Sequence, residues 1–133
     1  MSVVRFGVSL EKEILDELDD FVNKNHFSNR SQAIRSLISK KLVVKDWEEN
    51  QEVAGAISLV YDHHKRDLLN KLADMQHDFF DIILSAQHFH LDHDNCLEII
   101  AVKGKAFKIK ELADKLIAIK GIQHGTLSMS NKQ

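Results

Sequence analysis

The segment IILSAQHFHLDHDNCLEIIAV, residues 82–102, determines the fold that we predict for most of this chain. Its two ends are rich in apolar residues, and the polar run Asp92–Asn95 separates them. That pattern is typical of two strands joined by a tight turn. We therefore predict a hairpin with strands over residues 82–91 and 96–102.

Segments with strand and helix periodicity lie on both sides of this hairpin. Before it, residues 53–61 form a mostly apolar run expected of a buried strand, and residues 65–77 have apolar side chains at helical spacing. After it, residues 107–119 follow the helical period and residues 122–129 form a last strand. The order β-α-β-β-α-β predicts a ferredoxin-like α+β domain, whose antiparallel sheet is covered by two helices on one face. The other face also needs cover, so we expect oligomerisation.

A smaller module precedes this domain. Residues 3–10 alternate apolar with polar or small side chains, which predicts a half-buried strand, and residues 11–25 change to helical spacing. A second helix is expected to start at Asn29, whose side chain can cap it while Gln32 reaches back as in a capping box. The module is therefore one strand followed by two helices, βαα.

A strand and two helices cannot bury enough apolar surface alone, and a two-fold dimer that pairs the strands antiparallel is the simplest remedy. The outer face of that ribbon would carry Arg5, Gly7 and Ser9. Because a two-stranded ribbon fits the DNA major groove, the module resembles the ribbon-helix-helix family of transcription regulators. We expect residues 1–46 to form a DNA-binding and dimerisation domain and residues 52–133 to form the second domain.

Composition excludes several classes of protein. The 133 residues carry a formal net charge of -2 and are 44% hydrophobic, as in an ordinary soluble protein. No apolar run is long enough to span a bilayer. The single cysteine cannot form an intrachain disulfide, which favours a reducing compartment. The sequence therefore predicts a cytoplasmic protein with no membrane partner.

The hairpin carries a candidate metal site. His88 and His90 project to the same face of a strand, about 7 Å apart along its axis, and Cys96 begins the next strand. Two imidazoles and a thiolate are three-quarters of a coordination sphere for a borderline transition metal. The alternative is that the histidines face solvent and Cys96 is a small buried hydrophobe. Glu98, on the same face as Cys96, could accept a hydrogen bond from a ligand imidazole.

The fourth ligand position stays open on spacing alone. Water or substrate fills it in catalytic zinc sites, and another residue fills it in a closed site. His77, near the end of the preceding helix, could come from a neighbouring subunit. A planar set of ligands would suit Ni(II) or Cu(II), and a tetrahedral set Zn(II). His63, His64 and His93 could form an auxiliary metal site, although solvated surface histidines are the commoner case.

The two halves together resemble the nickel-responsive transcriptional regulator family (NikR). The blocks that carry the resemblance are RFGVSL (5–10), NRSQAIR (29–35), YDHHKRDL (61–68), QH (76–77) and HFHLDHDNCLE (88–98). Ribbon-helix-helix segments are common by themselves, so the last block is the specific one.

This resemblance implies a particular assembly and metal site. The protein would be a homotetramer, a dimer of dimers with a central ACT-like core for metal binding and tetramerisation and a DNA-binding dimer at each end. Each subunit would hold one square-planar Ni(II), with His88, His90 and Cys96 from one subunit and His77 from another.

The resemblance also assigns candidate DNA contacts. Arg5 and Ser9 match the family's base-reading positions, whereas Gly7 replaces the hydroxyl residue usual there. Lys65 and Arg66 match positions that touch DNA phosphates. The full candidate set is Arg5, Gly7, Ser9, Asn29, Arg30, Ser31, Lys65 and Arg66.

The leading hypothesis is a non-enzymatic regulator that binds palindromic operator DNA when loaded with Ni(II), and that represses nickel uptake or controls other nickel-related genes. One alternative is a metalloenzyme with a His2Cys site. Another is a ribbon-helix-helix regulator that senses a small organic effector. Gln32 and Ser36 stand where some family members carry acidic residues for a second cation. Whether such a second site exists in this chain is left open by the sequence.

Overall fold

A computed structural model describes residues 2–132 of the chain. Internal packing divides the chain into two compact units, Met1–Lys41 and Leu42–Gln133. The domain ranges predicted from sequence, 1–46 and 52–133, remain a prediction about function, since this division concerns packing alone.

The first unit contains helix α1, Lys12–Lys24, and the beginning of helix α2, Arg30–Glu48. Residues 2–11 are assigned to neither helix nor strand, although the alternation of residues 3–10 predicts a strand. The physical reason is that a strand is defined by pairing with a second strand, and the partner that we expect belongs to another copy of the chain. The apolar residues of the alternation, such as Phe6 and Val8, are accordingly exposed.

Helix α2 begins as the sequence predicts but ends later. The Asn29 side chain accepts a hydrogen bond from the backbone N–H of Gln32 (2.8 Å), and the Gln32 side chain accepts one from the N–H of Ser28 (2.6 Å). Two backbone donors at the helix start are thereby satisfied, as in a capping box displaced by one residue. The helix continues to Glu48, and Asn50 follows it with a φ of 53°, a left-handed conformation that asparagine tolerates at helix ends.

The second unit has the predicted order of elements. Strand β1 is Glu52–Asp62, helix α3 is Arg66–Asp78, a 3-10 helix is Phe80–Ile82, strand β2 is Ile83–His90, strand β3 is Asn95–Lys105, helix α4 is Ala106–Ile117 and strand β4 is Ile122–Ser130. The strands form one antiparallel sheet in the order β2-β3-β1-β4. This order confirms the βαββαβ prediction and puts β3 beside β1 at the centre of the sheet.

The core of the second unit lies between one sheet face and the inward sides of α3 and α4. Alternate residues of the central strands are buried, among them Ile57 and Leu59 of β1 and Ile100 of β3. Helix α3 buries Leu68 and Leu72, and helix α4 buries a longer apolar stripe. Cys96 and Glu98 alternate with Ile100, so both side chains lie on the helix-covered face.

None of the helices within residues 2–132 is both long and apolar enough to cross a membrane.

Candidate metal centre

The register of the hairpin brings the predicted donors to one face. His88 pairs with Glu98, and His90 pairs with Cys96, across β2 and β3. Residues directly opposite in an antiparallel pair have Cβ atoms roughly 4.5–5.5 Å apart and point to the same side of the sheet. The two imidazoles and the thiol therefore share one end of one sheet face, as the sequence predicts.

The donor atoms of these residues do not converge on one point. Within the described part of the chain, the only trio whose donor atoms all lie within 4.8 Å of one another is His64, His93 and Asp94. The ring of His90 instead packs edge-on against His63, with ring centroids 4.7 Å apart.

His88 lies beside a buried carboxylate. Glu98 is only 1% exposed, and its oxygens accept hydrogen bonds from the Tyr61 hydroxyl (2.6 Å) and the Gln76 amide (2.7 Å). The Nε2 atom of His88 is 3.6 Å from the carboxylate, too far for a hydrogen bond, while its Nδ1 atom lies 3.3 Å from the Tyr61 oxygen. Glu98 therefore lies beside a predicted ligand without accepting a hydrogen bond from it, and Tyr61 stands between the carboxylate and Nδ1.

The hydroxyl of Tyr61 determines which form of His88 fits this arrangement. Its one proton is donated to Glu98, so the contact with Nδ1 requires the imidazole proton to be on Nδ1. That tautomer leaves Nε2 with a free lone pair, which is the form of histidine that binds metals. Burial raises the pKa of the Tyr61 phenol, and its contacts with Glu98 raise it further, so the hydroxyl keeps its proton.

Tyr61 and Gln76 are site residues that the sequence reasoning missed. Tyr61 pairs with Cys96 across β1 and β3, a register that no local pattern reveals. Gln76 follows Leu72 by four residues, so helical spacing could have placed it on the inward side of α3. Both line a cavity of about 240 Å³ beside His88 and Glu98.

His77 occupies the last turn of α3 and is exposed. Its ring stacks on that of Phe80, with centroids 6.3 Å apart and planes inclined by 26°. In the described chain, His77 forms no close donor trio with His88, His90 or Cys96. Its donation to a second subunit remains a prediction.

A cluster of histidines, of which His64 and His93 are exposed and His63 is half-buried, lies at the turn end of the hairpin. The Nε2 atoms of His63 and His64 lie 2.9 and 3.1 Å from the backbone oxygen of His93, and the His64 ring is also 3.6 Å from Asp94. The turn itself is held by Asp92, whose side chain accepts from the backbone N–H groups of residues 94 and 95. These N–H donors, those of residue 95 above all, lower the pKa of the Asp92 carboxyl.

The candidate DNA-contacting residues have different surroundings. Arg5, Gly7 and Ser9 are exposed in the segment before α1, and Ser31, Lys65 and Arg66 are exposed as well. The Arg30 guanidinium donates two hydrogen bonds to Asp19, at 2.8 and 3.0 Å. That pair lowers the pKa of Asp19, yet both side chains are exposed, so a phosphate could compete for Arg30.

Comparison with known proteins gives consistent matches. A family model described as the NikR C-terminal nickel-binding domain matches residues 54–130. A protein of Syntrophus aciditrophicus, provisionally named a nickel-responsive regulator, is 59% identical over 128 residues, which are 96% of this chain and 93% of that relative. A Pyrococcus furiosus protein with the same provisional name is 46% identical over 131 residues, 98% of this chain and 95% of that relative.

One solved structure shares the fold of more than half of the chain. It is an uncharacterized protein of Thermotoga maritima, which superposes with a TM-score of 0.54 at 15% sequence identity and covers 59% of this chain and 98% of its own. At that identity, the likeness concerns the fold alone.

Proposed function

This chain belongs to the nickel-responsive regulator family, and we propose that it controls transcription by binding palindromic operator DNA when loaded with Ni(II). The family is one of regulators and not of enzymes, which confirms the expectation that the chain has no catalytic activity and sets aside the metalloenzyme alternative. Repression of nickel uptake, or control of other nickel-related genes, is the expected output.

The pairing of His90 with Cys96 and of His88 with Glu98 is the observation that carries this proposal. It supports three donors, His88, His90 and Cys96, on one face of a rigid hairpin. Bound Ni(II) would accept the lone pairs of two imidazoles and of the thiolate. Coordination by Cys96 requires its thiolate, so the thiol proton would be released when the metal binds, and nickel affinity should fall as the pH falls.

The fourth donor in this proposal is His77 of a second subunit. It is exposed at the end of α3, where a neighbouring copy can reach it. A site built from two subunits links metal occupancy to assembly, here a homotetramer with one Ni(II) per subunit. Ni(II) then acts by binding the DNA-competent arrangement more tightly, because equal affinity for both arrangements would shift nothing.

DNA binding is assigned to the first unit. Paired segments around Arg5, Gly7 and Ser9 would enter the major groove, with Asn29, Arg30 and Ser31 at the start of α2 contributing further contacts. Lys65 and Arg66 begin α3 in the nickel-binding unit, and they would contact phosphates only in the nickel-loaded arrangement. The site of action would be the cytoplasm.

The organic-effector alternative has weaker support. The cavity beside His88 holds about 240 Å³. Binding pockets for small organic molecules usually hold about 300–1,000 Å³. Calorimetric titration with Ni(II), Zn(II) and free amino acids tests this alternative, and heat released by an amino acid alone would favour it.

The test of the proposed function combines nickel affinity with operator binding. A duplex selected from a randomised palindromic library by the nickel-loaded protein serves as the probe, and fluorescence anisotropy measures its affinity with and without Ni(II). We expect Ni(II) to tighten binding at least about tenfold, a typical allosteric coupling. Unchanged affinity at saturating Ni(II) would refute the proposal.

Variants then test the shared ligand. His77→Ala should lower nickel affinity by more than about 100-fold, since even the loss of a residue that supports a ligand costs roughly 10–100-fold. His124→Ala, which removes an exposed histidine of β4, is the matched control and should leave the affinity unchanged. The absorption spectrum of the nickel-loaded protein should show low-spin square-planar thiolate coordination. A high-spin spectrum would contradict the proposed ligand set.

A further inference from the structure

The end of helix α3 changes direction immediately after His77. The backbone N–H of Phe79 donates to the carbonyls of Met75 and Gln76, and the 3-10 helix Phe80–Ile82 follows. This turn brings the ring of Phe80 over that of His77, with centroids 6.3 Å apart and planes inclined by 26°. The separation lies within the range of attractive offset stacking.

Phe80 is held in place by its neighbours in the chain. Phe79 on one side and Ile82 on the other are buried in the core of the second unit. Between them, the Asp81 carboxylate accepts a hydrogen bond of 2.6 Å from Lys108 of α4. The backbone at Phe80 is therefore tied to the core and to α4, while its own ring is 71% exposed and contributes little to the core.

The contact leaves the metal-binding atoms of His77 free. A stacked ring covers a face of the imidazole, whereas Nδ1 and Nε2 lie on its edge. A ligand held by its face keeps its lone pair for a metal, but it no longer samples all of its side-chain rotamers. Restricting those rotamers before binding removes part of the entropy cost of coordination.

We propose that Phe80 is a positioning residue for nickel, because its ring stacks on His77 and holds that imidazole in one orientation before it enters the site of the neighbouring subunit. This inference rests on the proposed function. It adds Phe80 to the residues on which nickel binding depends, although Phe80 itself binds no metal.

The size of the effect follows from the rotamer freedom that the imidazole would otherwise lose on binding. Immobilising a side chain costs about 0.5–1.5 kcal/mol, which corresponds to roughly a 2- to 12-fold change in affinity. Phe80→Leu keeps an apolar side chain but loses the flat ring, so it should weaken Ni(II) binding by about that factor. Phe80→Tyr keeps the ring and should bind Ni(II) as the wild type does. Phe107→Leu, which alters an exposed phenylalanine of α4, is the control and should also match the wild type.

A measurement on the metal-free protein separates positioning from a general structural role. With 13C-labelled histidine at about pH 8, the ring current of Phe80 should shift the His77 resonances. The shift should persist in Phe80→Tyr and disappear in Phe80→Leu, with His77→Gln supplying the assignment. Unshifted His77 resonances in the wild type, or wild-type nickel affinity in Phe80→Leu, would overturn the inference.

The same variants distinguish this inference from the proposed function. If His77→Gln leaves nickel affinity unchanged, the shared four-donor site is wrong, and positioning by Phe80 is wrong with it. If His77→Gln weakens binding but Phe80→Leu does not, the shared site stands and only the positioning role fails. If nickel affinity falls in both His77→Gln and Phe80→Leu but is retained in Phe80→Tyr, the result supports both proposals.

Discussion

Replacing Tyr61 with phenylalanine removes one oxygen from the buried cluster behind the hairpin and leaves the ring in place. The hydroxyl donates a 2.6 Å hydrogen bond to Glu98, and both residues are 1% exposed. We expect the free energy of unfolding of the metal-free protein to fall by about 1.5–3 kcal/mol, the usual value of a hydrogen bond to a charged group.

The surroundings of Glu98 explain why this loss should be recovered only in part. After the change, the carboxylate keeps its 2.7 Å bond from Gln76, while His88 stays 3.6 Å away. The adjacent cavity of about 240 Å³ is large enough to admit water, which can replace part of the lost bond. If water enters the cavity and donates to Glu98, the loss in the free energy of unfolding should therefore lie near the lower end of the predicted range.

Urea unfolding followed by tryptophan fluorescence measures this change. Trp47 is the single tryptophan of the chain, is 6% exposed, and donates its indole N–H to the carbonyl of Ser130 (2.9 Å), so its emission reports on the second unit. Protein concentration must be the same for all variants, because assembly contributes to apparent stability. The midpoint should shift with an unchanged slope.

A double-mutant cycle supplies the control. Tyr61→Phe and Glu98→Gln, combined, should show a coupling energy of about 1–2 kcal/mol, since the two side chains are in direct contact. Gln76→Leu should cost less than Tyr61→Phe, because Gln76 is only half-buried and water can replace it. A loss below about 0.5 kcal/mol for Tyr61→Phe, with no coupling to Glu98, would refute the reasoning.

Three further predictions concern the turn, the sheet and the segment that we propose contacts DNA. Asp92→Ala should destabilise the hairpin at neutral pH. Because the folded-state pKa of Asp92 lies below its usual value, the stabilisation by Asp92 is fully present above the usual pKa and disappears as the pH falls through the folded-state pKa. The unfolding curves of the wild type and the variant should therefore converge in acid, and a difference that stays constant with pH would contradict this. Gly55→Ala should lower the free energy of unfolding in urea by about 1–3 kcal/mol, since a Cβ there would lie 2.6 Å from the backbone oxygen of Ser128. An unchanged midpoint would show that β4 moves away enough to remove this clash. Arg5→Ala should weaken operator binding by about 1–3 kcal/mol and relax base preference in anisotropy titrations, and unchanged binding would count against the ribbon.

The second unit could be predicted from sequence because its signals are local. Strand and helix periods change within a few residues of each boundary, and the order βαββαβ has few compact solutions. The third strand shows the limit of this approach: residues 96–102 were predicted, and Asn95–Lys105 is observed. Its last residues pair with the start of β1, and that pairing extends the strand into a Lys- and Gly-containing run that propensity alone does not favour.

Other features depend on contacts that sequence spacing does not specify. The contact of Tyr61 with Glu98 depends on the register of β1 against β3, and these strands are separated by a helix and another strand. The orientation of His90 depends on its packing against His63. Residues 2–11 form neither helix nor strand, and in our proposal the strand predicted over residues 3–10 forms only when a second copy of the chain pairs with it.

The second unit has a packed core of its own, and this constrains how nickel would act in the proposed mechanism. Its core is formed mainly by apolar side chains of the sheet and of both helices, and Cys96, beside the hairpin turn, is part of it. Within residues 2–132, no buried side-chain nitrogen or oxygen lacks a hydrogen-bond partner, and Glu98 is satisfied by Tyr61 and Gln76 without a metal. Small domains that fold only with zinc lack such a core. In the proposed mechanism, nickel binding therefore need not supply the folding free energy of this unit, and its binding energy would be available to select one arrangement of subunits over another.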